Sequence, residues 1–293
     1  MNAGAKLGAY GVALIALLGA GAAVGNAAGP IDVGDTAAPH DTHNDATNAT
    51  EEPPMTAELP AGGLLVSQDG YTLEPDTRTL TPGAAFAFTI AGPDGSPLEA
   101  YQDLHDRELH FIVASRDLRS YAHLHPTRDQ DGRWSVDLPE LPAGAYRAFA
   151  DFQPAGADQY TLGIDLTAPG EATSAEPLHP EDTDKVDGYE VTLDRDGTGA
   201  SSEVSITVRR DGQVVTTQPY LGAAGHLVAL RDGDLAYLHV HPLDEEPAGP
   251  VRFAVEVPSA GLYALFFDFQ VGGQVRTAQF VIDADSAATP NGH

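Results

Sequence analysis

Two stretches of the chain are copies of one another: ELHFIVASRDLRSYAHLHP at 108–126 and AGHLVALRDGDLAYLHVHP at 224–242. The likeness continues on either side. Gly70-Tyr71 precedes the first copy and Gly188-Tyr189 the second, and LPAGAYRAFADFQ (141–153) is answered by VPSAGLYALFFDFQ (257–270). His110 and His123 are thirteen residues apart, as are His226 and His239, and the step from the last histidine to Asp-Phe-Gln changes by one residue. Matching landmarks at near-constant spacing over about 100 residues are the mark of an internal duplication. The chain must build one small fold twice.

That fold reads as β. AFAFTIAG, LHFIVAS, WSVDLP and YRAFADFQ in the first unit are short runs rich in β-branched and aromatic residues, as are VRFAVEV, YALFFDFQ and TAQFVID in the second. Turn signals such as PDGS and QDGR separate them, and the Asp-Gly of RRDGQ predicts a two-residue hairpin turn. No segment after residue 30 sustains a 3.6-residue apolar period. The expected fold class is all-β, with two tandem antiparallel β-sandwiches, immunoglobulin- or cupredoxin-like, after an N-terminal hydrophobic helix.

Composition places the boundaries. Residues 1–29 carry one charge, Lys6, and read as a signal peptide or a transmembrane anchor, since about 20 apolar residues span a bilayer. Residues 30–60 hold Pro, Thr, Asp and Asn with few large apolar groups, which predicts a disordered acidic linker. The repeats are expected at 61–167 and 186–284, with a polar linker at 168–185 and a tail at 285–293. Lys6 on the inner side and an acidic remainder put the repeats outside the cytoplasm, either anchored by the N-terminal helix or secreted.

Charge and composition exclude several functions. With 43 acidic against 15 basic residues the net charge is −28, so nucleic acid is no partner. The absence of cysteine rules out thiolate chemistry, blue-copper electron transfer included, and methionine occurs only at Met1 and Met55. There is no nucleophile motif, phosphate loop or HExxH sequence, so no enzymatic activity and no organic cofactor are expected.

Imidazoles and carboxylates are what remain. On a strand His123 and His125 point to one side with Cα atoms about 6.6 Å apart, close enough to converge on one ion, and His239 and His241 repeat the arrangement. His110 and His226 sit inside strands that are apolar throughout, so they are expected to be buried and to need partners. A hairpin would bring His110 beside His123 and His125. Asp151 and Asp268, each in an aromatic strand, either complete a His₃Asp shell or orient an imidazole from behind. Candidate metal ligands are therefore His110, His123, His125 and Asp151 in one unit, and His226, His239, His241 and Asp268 in the other. The donor set suits a divalent ion, copper(II) or zinc(II) above all. Imidazoles must be deprotonated to bind it, which predicts weakening below about pH 6. A buried hydrogen-bond network within a structural ectodomain meets the same requirement for partners. His105 has no counterpart, Leu221 standing at the matching place, and is expected to be exposed. His40, His43, His179 and His293 fall in linkers and tail.

PYLGAAGHLVALRDGDLAYLHVHP at 219–242 resembles a motif of bacterial and archaeal extracytoplasmic proteins, secreted or membrane-anchored, with a heavy-metal-associated cupredoxin- or immunoglobulin-like domain. The second unit matches closely and the first loosely. The resemblance implies envelope metal handling, with a metal ion as ligand and a membrane metal transporter or other envelope protein as partner. It carries over to His226, His239 and His241, and through the duplication to His110, His123 and His125.

Overall fold

The computed structural model describes residues 61–173, 175–197, 201–238, 240–243 and 249–284. The expected signal or anchor, the acidic linker and the tail from 285 lie outside them. Among the described residues no helix is long and apolar enough to cross a membrane.

The first repeat contributes β1 (Ser67–Gln68), β2 (Tyr71–Pro75), β3 (Ala85–Ala91), β4 (Tyr101–Gln102) and β5 (Leu109–Ser115). It continues with β6 (Tyr121–Leu124), β7 (Thr127–Arg128), β8 (Arg133–Asp137), β9 (Gly144–Pro154) and β10 (Tyr160–Ala168). The second contributes β11 (Thr183–Val186), β12 (Tyr189–Asp196), β13 (Ser201–Arg210), β14 (Gln213–Val214) and β15 (His226–Arg231). Then follow β16 (Tyr237–Leu238), β17 (Val240–Pro242), β18 (Val251–Glu256), β19 (Gly261–Val271) and β20 (Gln274–Ala284). Each repeat is a pair of antiparallel sheets. The outer sheets run β1-β2-β3-β8-β7 and β11-β12-β13-β18-β17, the inner ones β10-β9-β5-β6 and β16-β15-β19-β20.

Local chemistry explains the hairpins. Asp69-Gly70, Asp187-Gly188 and Asp211-Gly212 all have positive φ, the left-handed pair that a two-residue turn demands, and they join β1 to β2, β11 to β12 and β13 to β14. The hydroxyls of Tyr146 and Tyr263 each donate to a carbonyl four residues upstream, of Pro142 and Ser259. This corner is a habit of immunoglobulin-like sandwiches.

Strand alternation sorts the side chains into three cores. Leu109, Phe111 and Val113 of β5 enter the core of the first repeat with Phe88 and Trp134. Leu227 and Ala229 of β15 enter that of the second with Phe253 and Phe267. The opposite faces of the same strands, Ile112 and Ala114 against Val228 and Leu230, meet in a third core between the repeats. That seam is why β5 is buried at every residue and reads as a continuous apolar run. The duplication organises it: Tyr121 of the first repeat stacks on Phe266 of the second at 4.1 Å, and Tyr237 lies 5.6 Å from Phe149 in the equivalent contact.

Two further segments close the seam. Leu178, in the polar stretch between the repeats, is buried within it. Residues 62–65 run along β10 and reach across: Gly63 N donates to Thr161 O, Gly163 N to Leu65 O, and Tyr237 N to Gly62 O. The buried Arg147 guanidinium holds this segment by donating to Gly63 O at 2.7 Å and Leu64 O at 3.0 Å, with Asp165 balancing its charge. Both repeats belong to one unit, Ala57–His293.

Candidate metal centre at the seam

Alternation carries a polar group to one end of the apolar seam. His110 shares its face of β5 with Ile112 and Ala114, and His226 shares its face of β15 with Val228 and Leu230. His123 pairs with Ile112 in register, so it points the same way. Asp151 lies opposite His110, and Asp268 opposite His226. The expected hairpin neighbourhood is thus present, with one difference. β6 ends at Leu124, so His125 follows the strand, and Pro126 marks where the chain leaves the inner sheet for β7 of the outer one. Pro242 is itself the last residue of β17, paired opposite Phe253 of the outer sheet.

His110, His123 and His125 converge, each presenting a nitrogen within 4.8 Å of the other two. Their ring centroids stand 5.1 Å (His110 to His123), 5.2 Å (His110 to His125) and 4.9 Å (His123 to His125) apart. A metal–nitrogen bond of about 2.1 Å puts an imidazole centroid about 3.2 Å from an ion, and two such rings at the tetrahedral angle are then about 5.2 Å apart. The ring centroids of the triad have that spacing, while His110 Nδ1 and His123 Nε2, 2.9 Å apart, stand about 0.5 Å closer than two nitrogens on a tetrahedral ion. His226 lines a cavity with His110 and His123 but stands farther off, 6.3 Å from His110 and 6.2 Å from His123. It falls about 1 Å outside the tetrahedron that would complete the three.

The outer nitrogens are spoken for. His110 Nε2 donates to Leu104 O at 2.8 Å, and His226 Nε2 donates to Tyr220 O at 2.8 Å, six residues upstream in both cases. His123 Nδ1 donates to Asp268 Oδ2 at 2.8 Å. His110 Nδ1 and His123 Nε2 face one another across 2.9 Å. A single proton on this line makes the contact a hydrogen bond, and which ring donates it follows from the tautomers. His125 Nε2 is buried without a hydrogen-bond partner among the described residues. Burial, with the neighbouring His123 adding to it, pushes His110 down to about 2 and His125 to about 3. Burial lowers His226 to about 4, opposed by its bond to Tyr220. His110, His125 and His226 are therefore neutral at physiological pH, the state in which imidazole binds metal.

The acids do not stay with their own repeat. Asp268, on β19 of the second, holds His123 of the first; the two side chains are 3 % and 6 % exposed. Its other oxygen accepts from Thr277 Oγ1 on β20. Asp151 accepts from Gln159 Nε2 at 2.9 Å and Thr161 Oγ1 at 3.0 Å. The sequence grouping of each acid with the histidines of its own unit is corrected for the pair His123 and Asp268. His239 lies outside the described residues, as does the His241 side chain, whose backbone pairs with Ala254.

One further histidine stands beside the cluster. His105 is exposed, as expected, yet its ring lies 5.1 Å from that of His226 in the other repeat. It sits in a tight turn closed by mutual bonds between Leu104 and Arg107. His105 and Leu221, the matching residue of the second repeat, both take left-handed φ, 49° and 50°. The clue available in the sequence was that equivalence, which places His105 one residue past the carbonyl that anchors His110. His105, His110, His123 and His226 line a cavity of ≈ 60 Å³ with Asp151, room for a few water-sized groups.

Fold and site together define a tandem all-β repeat protein with a shared imidazole cluster. The family model described as Domain of unknown function (DUF8832) matches it twice, over residues 66–169 and 184–286, and the chain belongs to that family with the domain in duplicate. No curated protein matches it. Among solved structures it is similar to a DUF4426 family protein from Pseudomonas aeruginosa, with 11% identity over 36% of this chain and 98% of that one, and a TM-score of 0.28. It is also similar to InvD of Yersinia pseudotuberculosis (12% identity, 74% of this chain, 58% of that one, TM-score 0.25). A marsupial T cell receptor gives 11% identity over 75% and 63% of the two chains, with a TM-score of 0.23. These likenesses are too slight to bear on function.

Proposed function

We propose that this is an extracytoplasmic metal-binding protein of the cell envelope, holding copper(II) or zinc(II) at His110, His123 and His125. The observation that supports this reading is the convergence of three imidazole nitrogens within 4.8 Å. The buried His125 Nε2, without a hydrogen-bond partner among the described residues, adds to it, since an ion would give it one. Copper(II) leads on affinity order. A role in metal handling makes a membrane metal transporter or another envelope protein the natural partner, with membrane contact through the N-terminal segment. Because burial holds His110 near 2 and His125 near 3, protons compete for these ligands only well below the pH of about 6 that free imidazoles imply.

A second reading has its own observation. The chain from His110 through His123 to Asp268 is a continuous hydrogen-bonded path, and a buried network of that kind stabilises a seam without metal. Purified protein titrated with copper(II) or zinc(II) separates the two. Metal binding predicts a melting temperature that climbs with ion concentration. It also predicts at least a roughly tenfold loss of affinity in His125→Ala, whose orphaned nitrogen makes it the least disruptive variant. Equal, negligible metal in wild type and variant, with no shift in melting, leaves the network reading standing.

A further inference from the structure

Asp268 belongs by sequence to the second repeat, and its strand neighbour there is His226. Its carboxylate nevertheless turns to the first repeat and accepts from His123 Nδ1 at 2.8 Å. Thr277, directly opposite on β20, donates to its other oxygen, so the carboxylate is clamped between its own sheet and the neighbouring repeat. Few solvent molecules can compete, because the His123 and Asp268 side chains are 6 % and 3 % exposed.

This contact decides which nitrogen of His123 can bind an ion. A carboxylate on Nδ1 keeps the proton there and leaves Nε2 as the lone pair, and Nε2 is the atom aimed at His110 Nδ1. It also stops the ring from rotating and raises the basicity of the free nitrogen, the usual effect of an acid behind a ligating histidine. His110 gets the same service from Leu104 O, within its own repeat. His123 gets it only from across the seam.

Resting on the metal-binding reading above, we infer that the centre is composite: the first repeat supplies the imidazoles, and the second supplies Asp268 as the positioning residue that makes His123 a ligand. Neither repeat holds the complete arrangement alone. An ion bound there is linked to the docked state, so metal and docking strengthen one another, as any ligand selective for one state must. The apolar seam around Tyr121 and Phe266 supplies the docking, and the ion reports on it.

The test is copper(II) affinity, measured by competition with a chelator, together with the copper electron paramagnetic resonance spectrum of the full protein. Variants are Asp268→Asn, Thr277→Val and His110→Ala. Asp268→Asn keeps the shape but removes the acceptor charge, and is expected to bind copper about 10- to 100-fold more weakly with an altered hyperfine pattern. Thr277→Val leaves the carboxylate in place but loosens it, and should move affinity and spectrum the same way by less. A purely structural role for Asp268 would lower the melting temperature while leaving affinity and spectrum as in wild type, and that result overturns the inference. If Asp268→Asn does not fold, an unchanged spectrum and affinity in Thr277→Val overturn it instead. The failure of the underlying reading looks different: wild type binds no copper, or His110→Ala binds as well as wild type.

Discussion

Lowering the pH should destabilise the metal-free protein in a window set by its buried imidazoles. His110 is 4 % exposed, and burial together with His123 pushes it down to about 2, against 6.5 for a free imidazole. Its ring is faced by His105, His123, His125 and His226 and, across the strand pair, by Asp151. In the unfolded chain the same group protonates near pH 6.5. Below that value the unfolded state binds a proton that the folded state refuses, so stability falls as pH falls. The loss begins near 6.5 and ends only when the folded group itself protonates. Each such group contributes up to about 1.4 kcal/mol per pH unit, half of that at pH 6.5 itself, so His110 alone costs about 2.3 kcal/mol between pH 6.5 and 4.5. His226 adds in the same direction down to about pH 4, and the partly exposed His125 adds less. A domain of this size has about 5–15 kcal/mol to lose, so acid opening of the seam is expected between pH 6 and 4. Urea unfolding of the metal-free protein at intervals from pH 7.5 to 5 measures the slope. His110→Gln keeps an N–H that can reach Leu104 O but cannot titrate, and its slope should be flatter than wild type by a margin that grows from near zero at pH 7.5 to about 1.4 kcal/mol per pH unit at pH 5. Equal slopes in the two proteins would refute the argument, because every other titrating group is common to both.

Other perturbations probe the seam and its strap. Phe266 is 2 % exposed and carries the stack with Tyr121, so Phe266→Ala should cost about 3–5 kcal/mol and split one unfolding transition into two as the repeats uncouple, which calorimetry would register. A Cβ on Gly163 would stand 1.9 Å from Gly63 O, so Gly163→Ala must expel residues 62–65 from β10, and limited proteolysis should then cut near Leu64 at least several-fold faster. Chelation of the wild-type protein should lower its melting temperature and leave that of His125→Ala unchanged, which scanning fluorimetry checks directly.

Much of the site was legible in the chain. The uninterrupted apolar runs around His110 and His226 meant burial on both faces, and both residues are buried. The thirteen-residue interval implied a hairpin that brings His110 beside His123, and β5 and β6 form that pair. The period of two further put His110, Ile112 and Ala114 on one face and Leu109, Phe111 and Val113 on the other. What it left open was the surface each face would meet. For that reason Asp268 was grouped with its own unit, although its carboxylate serves His123 of the other. His105 is exposed as its sequence implies, but nothing local shows that its turn stands over His226.

By itself, then, the sequence determined a duplicated all-β chain, the strands buried on both sides, and the parity that sets histidines and acids on a common face. These follow from local physics, because alternation and turn chemistry act over a few residues. Only the tertiary structure decided that the two common faces lie against each other, that an apolar seam holds them there, and that an acid of one repeat completes the hydrogen bonding of a histidine in the other. Docking is a non-local choice made by the shape and apolar area of two whole sheets. It turns two similar rows of side chains into one imidazole cluster, with Asp268 reaching His123 where the repeats meet.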